Sequence, residues 1–112
     1  MIVREFVVAE GREEDFKKVF GPEGIWPELL GRSAEYVGTD LRLEAETERR
    51  YRVLDYWLSH EGFEDFRKAH QLEYEKFRQL VANEGLIERE TLLGSFYGGK
   101  SDFDEGIDLV PS

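Results

Sequence analysis

Cysteine is absent from the 112 residues, which excludes disulfides, thiolate metal sites and Cys nucleophiles. No apolar run approaches the roughly 20 residues that a bilayer-spanning helix needs. The stretch Met1 to Phe6 carries Glu5 and has neither a basic n-region nor a long apolar h-region, so it does not read as a signal peptide. Positive charge is scarce: 15 Lys and Arg stand against 25 Asp and Glu, for a formal charge of −10. That excess repels phosphate backbones and anionic lipid, so neither nucleic acid nor membrane is an expected partner. The cytoplasm is the expected location.

Aromatic residues are plentiful, with eight Phe, five Tyr and two Trp. At 40% apolar and 36% charged, the composition is that of an ordinary globular protein. The length suits one core. A domain this small buries only about two thirds of the surface of its unfolded chain, so further burial against a partner would help it.

Ile2 to Val8 reads as a first strand, punctuated by Gly11. Phe16, Val19 and Phe20 follow at helical spacing, and Gly21-Pro22 ends that helix. Ile25 to Leu30, with Pro27 in a first turn and Gly31 as a stop, predicts one or two helical turns that act as a cap. Tyr36 to Leu43 and Arg49 to Trp57 form a hairpin around a solvated acidic loop, Glu44 to Glu48, and Gly38 hints at a bulge. Ser59 suits a helix cap, and Phe63, Phe66, His70, Tyr74, Phe77 and Val81 form a stripe behind it. Leu72 breaks the phase, which fits either one helix with an exposed Leu or two helices jointed near His70. Asn83-Glu84-Gly85 stops the helix, and Leu86 to Tyr97 is a last strand. The domain is thus expected over 1–97, with an acidic tail over 98–112 that is loose or docks on a partner.

This order predicts an α+β, ferredoxin-like βαββαβ fold with an antiparallel sheet and helices on one face. The first and third strands are apolar at both parities: Ile2, Phe6 and Val8 against Val3 and Val7, then Tyr51, Val53 and Trp57 against Leu54 and Tyr56. A one-sided sheet would alternate more cleanly. Both faces are therefore expected to be covered, the second by another copy of the chain in a two-fold homodimer.

The segment from Tyr51 to Phe66, with its strand-ending Trp57, capping Ser59 and following aromatics, resembles the strand-to-helix signature of the antibiotic biosynthesis monooxygenase superfamily. Phe20 to Trp26 and Tyr36 to Leu41 are similar to a bacterial subgroup of it, and the resemblance runs from about Ile2 to Phe96. It implies a dimeric α+β barrel with a pocket between sheet and helices. Members include cofactor-independent oxygenases of aromatic polyketides and quinols, haem-degrading enzymes and proteins of unknown activity. In one oxygenase branch an Asn precedes the Trp by four residues and a Tyr follows it by six. Here Val53 and Phe63 occupy those positions, and only Trp57 matches. The haem-degrading branch uses an Asn on the first strand, a Trp on the helix and an axial His. Arg4, Glu5 and Phe66 depart from that pattern, so haem is not expected, nor any other cofactor.

Trp57 is a candidate aromatic wall for a flat substrate, or a core residue where strand meets helix. His70, with Glu73 three residues on, is a candidate general base, or a core His with one hydrogen bond. Tyr74 is a polar contact beside it. Asp55 must find a partner or a wet cavity. With Phe66 and Arg52 it forms the candidate substrate-binding set, while Arg42 and Asp40 lie on the neighbouring strand and His60 is expected exposed. No metal site is expected, because His60 and His70 lack a set of further ligands. Three functions follow: a cofactor-independent monooxygenase of a small aromatic, phenolic or quinol substrate; a module that binds such a ligand without changing it; and a structural dimer without a pocket.

Overall fold

Alternate residues of strand β1 (Ile2–Val8) divide between the two faces of a sheet, and this division organises the molecule. Ile2, Phe6 and Val8 join the main apolar core, whereas Val3 is buried outside it. A computed structural model describes residues 1–97 and 100–101. The tail expected over 98–112 lies outside the described residues, except for a two-residue strand, β5 (Lys100–Ser101).

Two helices follow β1. Helix α1 (Glu13–Phe20) has Glu13, Glu14 and Asp15 in its first turn and Lys17 and Lys18 in its last, as the helix dipole favours. Helix α2 (Ile25–Leu30) is the predicted short cap and buries Trp26, Leu29 and Leu30.

The hairpin consists of β2 (Tyr36–Ala45) and β3 (Arg50–Trp57). A register shift between Tyr36 and Gly38 marks the bulge. The strands run further toward each other than the acidic loop suggested, with Ala45 opposite Arg50. Arg49, expected to open β3, instead takes a left-handed turn at φ 53°, and its guanidinium Nε donates to the Val8 carbonyl at 2.8 Å.

Ser59 caps α3 (His60–Ala69) by accepting the Gly62 N–H at 3.0 Å. Of the two possibilities around Leu72, the chain takes the jointed one. Helix α3 ends at His70, whose φ of −119° is not helical, and α4 (Gln71–Glu84) starts beyond it. Leu72 is exposed. The backbone ladder still crosses the joint, since Tyr74 N–H donates to the His70 carbonyl at 2.9 Å. Gly85 then ends α4 in the left-handed conformation, φ 66°, which glycine adopts without strain.

Strand β4 (Ile87–Tyr97) returns beside β1. Neighbouring strands pair antiparallel in the order β2-β3-β1-β4-β5. The architecture is α+β, with an antiparallel sheet compatible with a ferredoxin-like fold. Phe6, Phe16, Phe20, Trp26, Val53, Phe66 and Phe77 meet in the core between sheet and helices. Ring centroids there lie about one ring diameter apart, 5.4 Å for Phe6 and Phe16 and 5.2 Å for Trp26 and Phe77. The space beneath α1, α2 and α4 is therefore packed with rings.

Candidate functional site

Asp55 is the most buried charged residue of the described chain, at 1% exposure, and it points from β3 toward the helices. Every partner it has is a donor. Arg4 Nη1 approaches Oδ2 at 3.0 Å, Trp26 Nε1 lies 3.0 and 3.2 Å from the two oxygens, and Thr39 Oγ1 donates to Oδ1 at 2.7 Å. Because Thr39 commits its proton to Asp55, the Tyr36 hydroxyl must donate to Thr39 in their short contact. Burial pushes the Asp55 carboxyl above the usual carboxylate range, against the opposing pull of Arg4 and of the Thr39 and Trp26 donors. Donors on every side require the ionised form as acceptor.

Arg4 is itself buried, and its guanidinium lies 5.5 Å from the Trp26 ring centroid and 5.9 Å from that of Phe63. It forms one wall of a cavity of about 210 Å³ where β1 and β4 meet the first turns of α3. Ile2, Phe63 and Leu92 supply apolar surface, Ser95 joins them from β4 opposite Ile2, and the exposed His60 and Leu92 mark the mouth. Glu64 and Arg67 complete the rim. The Ser95 hydroxyl is buried and finds no hydrogen-bond partner among the described residues. Buried hydroxyls are ordinarily bonded, and a turn of the Ser95 side chain toward the cavity it lines would give this one a ligand oxygen or a water as partner.

The expected site residues do not converge on one point. Trp57 is buried one ring behind Phe63, at 5.3 Å between centroids, and packs equally on Phe66 and Tyr36. Its indole Nε1 is buried without a hydrogen-bond partner among the described residues. Phe66 sits between Trp57, His70 and Tyr74, with His70 at 5.1 Å. Tyr74 leans on Trp26 at 5.8 Å and under the Arg67 guanidinium at 5.6 Å. His70 lies at the helix joint with its side chain 28% exposed, and its Nδ1 is 3.1 Å from Glu73 Oε1 as the spacing implied. The other Glu73 oxygen pairs with Arg32, so that carboxylate also ties α4 to the end of α2. Neither His70 nor Tyr74 lines the cavity.

Arg52 requires a correction. Grouped with Asp55 and Phe66 as a substrate contact, it faces away from the helices and pairs with Glu5 at 3.3 Å and Glu44 at 3.1 Å. It stands three positions before Asp55, and the strand's period of two puts them on opposite faces. Arg42 and Asp40 pair with each other at 3.1 Å in the open. Arg4, Ser95, Trp26 and Thr39 are the residues sequence reasoning missed. Arg4 and Asp55 did leave a signal, since both are ionisable at the core-facing parity of apolar strands.

No family model matches the chain, and no curated protein matches it. A solved structure described as the crystal structure of PA3566 from Pseudomonas aeruginosa is similar to it over 81% of this chain and 85% of that one. The identity is 14% and the TM-score 0.48, a likeness too remote to carry a conclusion. Among the described residues no helix is long and apolar enough to cross a membrane, and no cluster of His, Asp and Glu suits a metal ion.

Proposed function

We propose that this chain is a homodimeric ligand-binding domain of the antibiotic biosynthesis monooxygenase type, which captures a small single-ring aromatic in the cavity between Arg4, Phe63 and Ser95. The observation that carries the reading is the cavity itself, where Ile2, Phe63 and Leu92 lie beside a buried guanidinium and the Ser95 side chain, whose buried hydroxyl has no hydrogen-bond partner among the described residues. Roughly 150 Å³ suffices for benzene in a protein interior, so about 210 Å³ admits one substituted ring. The dimer half of the proposal rests on the face turned away from the helices. Val7 and Tyr56 are half-buried there and left for a partner copy to cover, beside Val3 and Leu54, which the single chain already buries to 3% and 7% exposure.

Capture without turnover is preferred to oxygenation because the candidate base, His70, does not reach the cavity. The monooxygenase reading keeps one supporting observation, the His70–Glu73 contact beside Phe66. Thermal unfolding with phenol, benzaldehyde and hydroquinone tests the proposal. A ligand at about a hundred times its Kd stabilises the native state by roughly 2.7 kcal/mol, a clear rise in Tm. Ser95→Leu, which fills the cavity, is expected to abolish that rise. Mass spectrometry should recover the ligand unaltered. A product that disappears in His70→Ala would instead establish the enzyme, and no rise with any ligand would defeat both.

A further inference from the structure

The charges around the cavity balance, and the balance bears on what it admits. Arg4 faces Asp55 at 3.0 Å and, through Nε, Glu90 at 3.9 Å. Glu90 is shared with Arg78 at 2.8 Å, and at the rim Arg67 faces Glu64 at 3.8 Å. The three guanidinium groups at and behind the cavity, Arg4, Arg67 and Arg78, are thus matched by three carboxylates, Asp55, Glu64 and Glu90. Arg4 is also held between the rings of Trp26 and Phe63, which fixes the plane of its fork.

From this arrangement we infer that Asp55, by neutralising Arg4, sets the ligand class of the cavity. It selects an uncharged single-ring aromatic bearing a carbonyl or hydroxyl oxygen, and it rejects aromatic carboxylates. This rests on the binding site proposed above. A ligand carboxylate entering here would add a negative group to ion pairs already balanced, and would lose part of its water against Ile2, Phe63 and Leu92. A neutral oxygen makes no such demand and, once the Ser95 side chain turns toward the cavity, accepts from its hydroxyl, which has no other partner among the described residues. Asp55 is a specificity-determining residue that acts through Arg4 and does not itself line the cavity. Thr39 and Trp26 fill the remaining acceptor sites of its carboxylate, so the balancing charge is fixed in position.

The test is a comparison of phenol, benzaldehyde and benzoate by calorimetric titration at neutral pH, on the full chain. Wild-type protein is expected to bind phenol or benzaldehyde at least about tenfold more tightly than benzoate, the scale on which an unpaired buried charge shows in affinity. Asp55→Asn keeps the side-chain volume and an oxygen acceptor but leaves Arg4 uncompensated, and it is expected to reverse that order in favour of benzoate. The double variant Arg4→Gln/Asp55→Asn removes both charges and should restore the preference for neutral ligands. Glu90→Gln, at a more exposed side chain, should move the ratio the same way by a smaller factor, and it serves if Asp55→Asn does not fold. Benzoate binding best to the wild type, or a ratio unmoved in both single variants, overturns the inference while leaving the site in place. Wild-type protein that binds none of the three removes the site and the inference together.

Discussion

Trp26 on the cap helix donates its indole N–H to both oxygens of Asp55 on β3, at 3.0 and 3.2 Å, across 29 residues of sequence. With Arg4 from β1 and Thr39 from β2, that contact ties three strands and α2 to one carboxylate. Asp55→Ala leaves the buried Arg4 guanidinium uncompensated, and breaking one side of a buried pair costs about 3–5 kcal/mol. Trp26→Phe keeps ring packing on Phe20, Tyr74 and Phe77 but removes one donor, for a loss of about 1–3 kcal/mol. Urea unfolding of the two variants should show that order.

Tyr51 gives the protein an alkaline limit. Its phenol is pushed up to about 12, first by burial and then by the hydrogen bond it donates to Glu13 at 2.6 Å. The folded value is thus above the unfolded one, near 10. The contribution is therefore complete below about pH 10 and is lost as pH rises through the folded value. Unfolding free energy should fall across that window in the wild type. Tyr51→Phe should remove that component of the decline, and a pH dependence identical in the two proteins would contradict the assignment.

Helix α3 depends on the residue that caps it, Ser59. Ser59 Oγ accepts from Gly62 N–H and donates to Glu35 at 3.1 Å, so Ser59→Ala should cost about 1 kcal/mol. Because the N-terminal turns of α3 wall the cavity, the same variant is expected to weaken ligand binding more than Leu72→Ala, whose side chain is exposed on α4. Paired melting curves with and without phenol separate the two effects.

On the sheet's other face, Tyr56→Glu places a charge on a half-buried position offered to a partner copy. Sedimentation equilibrium should give twice the 13.1 kDa chain mass for the wild type and the single mass for the variant. A wild-type monomer would remove the dimer from the proposal.

Local rules made most of the fold legible. Alternation and Gly11 bounded β1, Ser59 announced α3, Gly85 closed α4, and the phase break at Leu72 offered the joint that the chain adopts at His70. The hairpin ends were less legible, because Glu44 pairs across the strand with Arg52 and joins β2 instead of the loop. Asp55 was identifiable as a carboxylate in need of a partner, but that partner was not. Arg4 reaches it through register between strands 51 residues apart, and Trp26 through the docking of α2. Ser95 gave no signal, since a serine on β4 becomes notable only when nothing bonds it. His70 sat on the helical stripe, yet the bend at its own position turned it away from the cavity that Phe63 lines.

The central claim is best tested by the crystal structure of the protein grown with phenol or benzaldehyde. The account predicts one ring per chain against Phe63 and Leu92, with its oxygen within hydrogen-bond distance of Ser95 Oγ and beside the Arg4 guanidinium. A ring bound against His70 and Tyr74, or a cavity holding only water at saturating ligand, would contradict it.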